Sequence, residues 1–124
     1  MALQTNTFTT YENAAQEINA LDQQLKSFSD HLKEMPLIIL TDDASFAAAT
    51  LNNFLWIAFT RCNPSHDIHG IDAFVKNKHW GCNGPLIIDA RIKPHHAPPL
   101  IKDAVVEDKI DHLFNKGGSL YPWR

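Results

Sequence analysis

The chain has 124 residues, of which 44% are hydrophobic and 20% are charged, and its net charge is −3. This is the length of one domain, and a chain of this size buries roughly two-thirds of its unfolded surface without disulfides or metals. The chain is mildly acidic and does not have the basic character of a nucleic-acid-binding surface. No apolar run approaches the ~20 residues of a membrane span. Two cysteines are too few for a disulfide framework. The first residues also lack the charged and apolar regions of a signal peptide, so the sequence predicts a soluble cytoplasmic domain.

The N-terminal part is predicted to be a disordered segment followed by a long helix. Residues 1–9 are polar and are predicted to be disordered, which leaves a single domain over residues 10–124. Thr9 and Glu12 have the spacing of a capping box. The apolar residues that follow recur at alternating steps of three and four, at Tyr11, Ala14, Ile18, Leu21, Leu25, Phe28, Leu32 and Met35.

This apolar seam predicts an amphipathic helix that Pro36 ends and that Ser27 and Ser29 can break. Two interpretations stay open. The helix packs either on its own domain or against a helix of another molecule, because its length is at the threshold for a coiled coil.

A buried strand is predicted over residues 36–41, which contain four consecutive large apolar side chains. Such a run is typical of a strand covered on both faces. Asp42 and Asp43 follow at its carboxyl end, where open α/β sheets usually place their sites. Two adjacent acids nevertheless form a turn and a helix cap more often than an acid/base pair.

The densest apolar run of the chain lies in residues 50–64 and predicts a helix. Thr50 can cap its first turn and Pro64 stops it. Because apolar residues occupy nearly every side, we expect this helix to be buried all round. The Ala-rich residues before it, 45–50, are predicted to be a helical turn or a loop.

The second half of the chain alternates irregular segments with one strand and one helix. Residues 62–84 are predicted to be a long loop with a short helix or turn at residues 71–75, and loops of this length usually carry function or wrap a partner. A second apolar strand follows, then a proline-rich segment, then a helix capped by Asp103 and stopped by Gly117-Gly118. The segments are the strand 85–91, the irregular residues 93–99, a helix that buries Val106, Ile110, Leu113 and Phe114, and an aromatic tail, residues 121–124.

This order of elements predicts an α/β fold with a small, mainly parallel sheet flanked by helices. Two strands make a thin sheet. A further strand is therefore expected either within the long loop or from another chain.

Seven histidines and two cysteines invite a metal or nucleophile hypothesis, but their spacing supports neither. No C-x-x-C and no H-E-x-x-H occurs, and the two cysteines are not paired by spacing. No glycine-rich phosphate motif is present either. We therefore predict no catalytic, cofactor-binding or metal-ligating residue.

Charged residues at the ends of the two strands are the more informative candidates. If the strands are parallel, these residues meet at one edge, where they form a salt-bridge rim or contact a substrate carboxylate or a neighbouring domain. The candidate cleft or interface residues are Arg61, His66, His69, His79, Asp89, Arg91, Lys93, His95 and His96.

Three stretches of the chain resemble the C-terminal domain of the UbiD-type decarboxylases. They are L-I-I-L-T-D-D, T-L-N-N-F-L-W-I-A-F-T-R-C-N-P-S-H-D and K-H-W-G-C-N-G-P-L-I-I-D-A-R-I-K-P-H-H-A-P-P-L. The family has an apolar strand ending in acids, then an apolar helix with a Thr-Arg-x-x-Pro ending. The likeness runs from about Pro36 to Gly118, and the N-terminal helix matches less well.

The resemblance implies a part in the decarboxylation of aromatic or unsaturated acids such as 4-hydroxy-3-polyprenylbenzoate, in ubiquinone biosynthesis. The family uses prenylated FMN with a divalent metal and potassium, and its cofactor site and Glu-Arg-Glu catalytic set lie in the preceding domains. The chain has no counterpart of those segments, so we expect it to bind no cofactor and to be inactive alone. In the family this domain supplies oligomer contacts and one wall of the active-site cleft, here the loop after Arg61-Cys62-Asn63-Pro64.

Two alternatives to this interpretation stay open. The chain is either a free-standing oligomeric binding or regulatory module with the same fold, or a small metal-dependent enzyme. The residues available to such an enzyme are His66, His69, His95, His96 and Cys82.

Overall fold

The computed structural model describes residues 1–32, 34–98, 101 and 103–123. The strands among them form a four-stranded sheet and a separate β-hairpin. The strands are β1 (Ala2–Gln4), β2 (Leu37–Thr41), β3 (Ile68–Gly70), β4 (Ala73–Lys76), β5 (His79–Cys82) and β6 (Leu86–Asp89). The helices are α1 (Tyr11–Lys26), α2 (Ser29–Leu32), α3 (Ala44–Ala49), α4 (Leu51–Thr60), α5 (Ala104–Phe114) and a short 3-10 helix (Tyr121–Trp123). None of the helices among these residues is long and apolar enough to cross a membrane.

The sheet has the strand order β1-β2-β6-β3 and is mixed. β1 and β6 both run parallel to β2, whereas β3 is antiparallel to β6. The α/β class is therefore confirmed, but the sheet is less uniformly parallel than predicted. The extra strand expected within the long loop is β3, and the loop also contributes the β4–β5 hairpin.

The core lies on both faces of β2 and β6, as predicted for β2. On one face Ile39 and Ile88, which are register partners, pack with Ile57 and Ala58 of α4. On the other face Ile38, Leu40 and Ile87 pack with Ile18 of α1 and with Ile71. Successive side chains of a strand point to opposite faces, so one apolar run serves two layers.

The N-terminus differs from the prediction of disorder over residues 1–9. Ala2–Gln4 form an edge strand in which Leu3 is the register partner of Leu40, and Phe8 is buried. Three strand residues of mixed polarity give almost no local signal, because the sheet edge that pairs with them supplies the stabilisation.

The predicted long N-terminal helix is not confirmed as one element. Thr10, rather than Thr9, caps α1 by accepting from the Asn13 N–H, and α1 ends at Lys26 before the separate short helix α2. The break falls at the predicted Ser27, whose hydroxyl donates to the Gln24 carbonyl at 2.7 Å. Such a side-chain bond competes with helical pairing of the backbone.

The helix α4 is confirmed in its boundaries but not in its burial. Thr50 caps it by accepting from the Asn53 N–H, and Arg61 ends it. Only Ile57 and Ala58 are buried, whereas Leu51 and Phe59 are 71% and 73% exposed. The Ala-rich segment before it is the helix α3, capped by Asp43 as the turn-and-cap interpretation of the two acids predicts.

Residues 71–75 were expected to form a helix or turn; Ile71 and Asp72 form a turn, and residues 73–75 enter a hairpin. Ile71 is buried beside the sheet, and β4 pairs with β5 through a tight turn at Asn77 and Lys78, which both have positive φ. Positive φ at both central residues is the geometry of a type I′ hairpin turn.

The C-terminal helix α5 is capped by Asp103 as predicted, but its predicted burial is wrong. Val106, Ile110 and Leu113 are exposed, Phe114 is half-buried, and none of the side chains of α5 is fully buried among the described residues. The helix ends before Gly117, which has a φ of +95°. Pro99 and Arg124, which ended the predicted irregular segment and the aromatic tail, lie outside the described residues.

Candidate functional site

Four buried charges lie at the carboxyl end of β6. Asp89 is the last residue of β6, Arg91 and Lys93 follow it, and Asp67 immediately precedes β3. Each of these residues is no more than 1% exposed. We call these four residues the buried charge cluster. The predicted gathering of charged residues at this edge is thus confirmed for Asp89, Arg91 and Lys93, but they form a buried group rather than a rim.

Arg91 ties the N-terminal segment and α1 to the end of the sheet. Its Nε and Nη2 donate to the two carboxylate oxygens of Asp89 at 2.9 and 2.6 Å. Its Nη1 donates to Glu17 Oε2 of α1 at 2.6 Å and to the Asn6 carbonyl at 3.0 Å. A planar guanidinium with five N–H donors can hold these four acceptor atoms at once, whereas a lysine at this position would have only three donors.

Arg91 also sets the protonation of its partner. Burial by itself raises the pKa of Asp89, but the Arg91 hydrogen bonds and the positive charges of Lys93 and Arg91 outweigh it, so that the net pKa lies below its ordinary value. Hydrogen bonding to Asp89, which outweighs burial, raises the pKa of Arg91. Both groups are therefore charged at neutral pH.

Lys93 closes the same cluster from the loop after β6. Its Nζ donates to the Asp89 carbonyl at 2.7 Å and lies 3.3 Å from Asp67 Oδ2. Asp67 in turn accepts from the Asn63 N–H at 2.6 Å. The Phe8 ring covers both cations, with Arg91 Cζ 5.6 Å and Lys93 Nζ 5.4 Å from its centroid, and contacts of this kind add to cation stability in a dry site.

The cluster does not fit a metal ion or a phosphate. Its two carboxylates are already engaged by its two cations, and both cations are engaged by acceptors of the chain. Over the described ranges, no three His, Cys, Asp or Glu side chains come together as metal ligands would. The arrangement holds segments together, because each carboxylate is paired with a cation of another part of the cluster.

Three of the predicted histidines gather around Tyr11 at the start of α1. The Tyr11 ring lies 5.1 Å from that of His66 and 6.4 Å from that of His95, and the His95 and His96 rings are 4.7 Å apart, between centroids. The Ser65 hydroxyl lies 2.6 Å from His66 Nδ1. Aromatic contacts therefore join the start of α1 to the segments that follow α4 and β6.

The other two predicted histidines lie apart from this group. His69 is on β3 and half-buried, and burial lowers its pKa although Asp89 and Asp67 partly oppose this. His79 begins β5 on the exposed hairpin. Cys62 and Cys82 are free thiols whose pKa values burial raises. A raised pKa makes a thiol a poorer nucleophile.

Arg61 stands outside the buried cluster. Its guanidinium stacks over the indole of Trp56, with Cζ 5.5 Å from the ring centroid, and its Nη1 is 3.8 Å from Asp42 Oδ2. The sequence placed Arg61 among the charged residues expected at this end of the sheet, and the structure sets it beside Asp42. The sequence did not indicate Phe8, Glu17 or Asp67, since a single acidic or aromatic residue in a polar segment does not show which residues it will contact in the folded chain.

Two helices present apolar side chains to the outside. On α4, Leu51, Leu55 and Phe59 recur every four residues, and we call them the α4 stripe. On α5, the apolar residues Val105, Val106, Ile110 and Leu113 are exposed as well. Leu51–Thr60 also contains no ionisable side chain. Contiguous exposed apolar surface of this kind marks interaction sites.

The chain is similar to segments of chlamydial proteins. It is 33% identical over 101 residues to a 4-hydroxybenzoate decarboxylase subunit of Chlamydia pneumoniae, a match that covers 80% of this chain and 17% of that protein. It is 30% identical over 105 residues to an uncharacterized protein of Chlamydia muridarum, with 85% of this chain and 18% of that protein covered. An uncharacterized protein of Chlamydia trachomatis is also 30% identical, over 64% of this chain and 14% of its own length.

No protein-family model matches the chain, and no solved structure matches it significantly. The chain spans about a sixth of the length of the curated relatives it matches. Its similarity is thus to one segment of a decarboxylase subunit and of related chlamydial proteins.

Proposed function

We propose that the chain is a non-catalytic assembly and cleft-closing domain of a UbiD-type decarboxylase that acts on an aromatic acid of the 4-hydroxy-3-polyprenylbenzoate type. The observation that carries this proposal is the α4 stripe, because three large apolar side chains in one row on an uncharged helix are suited to contact another protein surface. The similarity to a segment of a 4-hydroxybenzoate decarboxylase subunit supports the class of partner.

The buried charge cluster supports the non-catalytic part of the proposal. Open α/β sheets usually bind ligands at the carboxyl ends of their strands. Here that end is occupied by Asp67, Asp89, Arg91 and Lys93, whose charges are paired with one another. In this proposal the prenylated FMN, the divalent metal and potassium belong to the preceding catalytic domains, and those domains do the chemistry.

The role of each surface follows from its exposure and its place in the fold. The α4 stripe and the exposed face of α5 make the contacts with the catalytic domains and between subunits. The segment after Arg61, with its histidines and the β4–β5 hairpin, forms one wall of the cleft. Arg91 and Lys93 fix the base of this wall, because Lys93 holds Asp67 at its start.

A chimaera tests the proposal. The residues of this chain replace the aligned 101-residue segment of the Chlamydia pneumoniae decarboxylase subunit, and decarboxylation of 4-hydroxybenzoate and the oligomeric state are measured. We expect the chimaera to assemble and to retain activity, and a version with the segment deleted to lose both. The isolated chain should neither retain flavin nor release carbon dioxide.

Matched variants connect the result to the α4 stripe. Leu55→Ala with Phe59→Ala in the chimaera should weaken assembly by about 2 kcal/mol or more, as loss of an interface hot spot does. Val75→Ala on the hairpin removes an exposed apolar side chain elsewhere and should leave assembly unchanged. Retention of near one equivalent of flavin by the isolated chain, or assembly that ignores the α4 double variant, would overturn the proposal.

The same exposed faces favour one alternative, a free-standing oligomeric binding or regulatory module. A helix face without charges suits contact with a second copy, because two such faces meet without like-charge repulsion. Sedimentation of the purified chain distinguishes the two functions. A stable oligomer of the chain alone together with an inactive chimaera would favour the free-standing module, and a strict monomer would remove it.

A further inference from the structure

We propose that the groove between the edge strand β1 and the helix α1 binds an extended peptide segment of another protein, which pairs antiparallel with β1 as a fifth strand of the sheet. The groove has a volume of about 580 Å³ and is lined mainly by residues of β1, of the segment after it and of α1. The three residues of the α4 stripe are not among those that line it. The proposal is therefore independent of the proposed decarboxylase partner.

The first observation is the unpaired outer edge of β1. The Met1 carbonyl and the Thr5 N–H both bond to backbone groups of β2, at 2.9 and 3.2 Å. The N–H and C=O groups of successive strand residues point to opposite edges, so those of Ala2 and Gln4 face away from β2. In the part of the chain that the structure describes, no strand lies beyond β1. A row of such groups is a template for another strand.

β1 also has none of the residues that usually protect an edge strand. Natural sheets discourage pairing at an edge with charged side chains, especially lysine, or with proline. The residues of β1 are Ala-Leu-Gln, and Gln4 is exposed while Ala2 and Leu3 are half-buried. Its side chains therefore do not oppose the approach of a further strand.

The groove beside this edge has a helical wall and an apolar floor. Four residues spaced three and four apart form one face of α1 and make the wall, namely Glu17, Ala20, Leu21 and Gln24. Leu3 and its register partner Leu40 form the floor and pack with the core of that face. Residues directly opposite in an antiparallel pair place their side chains on the same face. The peptide residue opposite Leu3 thus places its side chain in the groove.

The polar groups of the groove favour an uncharged side chain there. Of the described residues that line it, Glu17 alone is charged, and its carboxylate already accepts from Arg91 at 2.6 Å. The other polar lining residues are uncharged, and they include Gln4, Asn6 and Gln24. A charged peptide side chain would lose water here without gaining a free counter-charge. The groove therefore suits an apolar side chain.

Thr5 provides a second indication of a missing partner. It lines the groove, and its Oγ1 is buried without a hydrogen-bond partner among the described residues. Buried hydroxyl groups are normally hydrogen-bonded. Rotation about the Cα–Cβ bond turns this hydroxyl toward the groove, where a bound peptide supplies an acceptor.

A second copy of the chain fits this edge less well than a separate peptide does. Two β1 strands can pair antiparallel, and each then places its Leu3 opposite that of the other. Leu3 already packs on the core of its own copy, so a second copy has no free side chain for the groove. A separate peptide brings one.

The test is an NMR titration of the nitrogen-15-labelled chain with the capped peptide acetyl-Thr-Thr-Phe-Thr-Thr-amide. Its central Phe stands opposite Leu3, and β-branched and aromatic residues favour the extended form. We expect the amide signals of Ala2 and Gln4 to shift saturably and the hydrogen exchange of the Gln4 amide to slow. The same peptide with Ala in place of Phe should bind several-fold more weakly.

N-methylated peptides distinguish strand pairing from apolar contact. In the antiparallel arrangement, the N–H groups of the second and fourth peptide residues point to β1, whereas that of Phe points away. Methylation of the second and fourth residues removes two hydrogen bonds and should weaken binding by about tenfold or more. Methylation of Phe alone should leave the affinity within about twofold of the parent value.

Two matched variants of the chain locate the binding groove. Ala20 and Ala15 are both exposed on α1, but only Ala20 lines the groove. Ala20→Glu places a carboxylate beside the apolar peptide side chain and should weaken binding by about tenfold or more. Ala15→Glu makes the same change in net charge and should have no effect. Circular dichroism checks that both variants keep the helix.

Four outcomes would overturn the proposal. Three concern the peptide, namely no saturable shift at Ala2 and Gln4, equal effects of the two methylation patterns, and undiminished binding to Ala20→Glu. The fourth is a dimer in sedimentation whose Gln4 amide exchanges slowly without peptide, which would assign the edge to a second copy. Because the titration needs no catalytic domain, a failed chimaera and a failed titration are separate results.

Discussion

Two regions of the molecule reverse the usual distribution of side chains. Charged side chains are buried at the carboxyl end of β6, and apolar side chains are exposed on the outer surface of the helices. Arg91 and Lys93 are 1% exposed, whereas Phe59 of α4 is 73% exposed. The charges can be inside because each has its counter-charge and further hydrogen bonds there, which is the condition for burying an ion. The apolar side chains are outside because nothing else in the described chain covers them. The comparison separates residues that hold this domain together from residues suited to contact another molecule.

Of the variants that test this comparison, Asp89→Ala is expected to lower the free energy of unfolding most. Asp89→Ala leaves the Arg91 guanidinium buried without its bidentate partner, and removing one member of a buried pair costs about 3–5 kcal/mol. Urea unfolding measures the loss. Asp108→Ala removes an acid that is 76% exposed and should change the free energy of unfolding by about 0.5 kcal/mol or less. A cost below about 1 kcal/mol for Asp89→Ala would show that the cluster is not held by this pair.

Two residues of α4 test the apolar side of the comparison. Ile57 is fully buried and Phe59 largely exposed, although they are only two positions apart. Ile57→Ala should lower the free energy of unfolding by about 2–5 kcal/mol, whereas Phe59→Ala should change it by about 0.5 kcal/mol or less. The same unfolding measurement serves both variants. If Phe59→Ala destabilises the isolated chain as much as Ile57→Ala does, the α4 stripe belongs to the core and not to an interface.

Acid should weaken the buried end of the sheet selectively. The pKa of Asp89 is lower in the folded chain than in the unfolded chain, so the unfolded state takes up the proton first as the pH falls. The contribution of Asp89 to stability is therefore complete above its unfolded pKa of about 3.9 and is lost as the pH drops through the lower folded value. Unfolding free energies measured across this range should fall, and in Asp89→Asn this part of the fall should be absent. An identical acid response of the two chains would contradict the assigned role.

The smallest effects are expected at two helix caps. Thr50→Ala should cost about 1 kcal/mol of global stability, because its hydroxyl caps a helix that packs on the core. Asp103 caps α5 in the same way, but none of the described side chains of α5 is buried. Asp103→Ala should therefore reduce helix content in circular dichroism without moving the midpoint of unfolding. Equal shifts of the midpoint in both variants would mean that α5 is part of the cooperative unit.

The sequence could predict those elements whose signal is local. Four consecutive apolar residues marked β2, the second apolar run contained β6, and the side-chain caps Thr50 and Asp103 marked two helix starts. β1 and β3 were not foreseen as individual strands, because three-residue strands are specified by the strand they pair with rather than by their own residues. The break of the N-terminal helix at Ser27 was foreseen as an option, since the hydroxyl can compete for a helical carbonyl.

Burial was the quantity that the sequence predicted least well. The apolar run of α4 indicates side chains that are stabilised by leaving water, but it does not say whether the covering surface lies in the same molecule. The reverse error occurred at Lys93, in a proline-rich loop where exposure is the usual state. Asp89 lies only four positions from Lys93, but Asp67 comes from a distant segment, and only the folded topology brings Asp67 to Lys93. The same reason hid the pairing of Arg91 with Glu17.

The hydrogen bond from Arg91 to the Asn6 carbonyl has a consequence for how the chain folds, since it joins residues 85 positions apart. The parallel pairing of β2 with β6 likewise joins segments that are far apart in sequence. Contacts between residues so far apart in sequence require long loops to close before they give any stabilisation, and proteins dominated by such contacts fold slowly. We therefore expect the N-terminal strand and the guanidinium that holds it to become fixed late, after the local helices have formed.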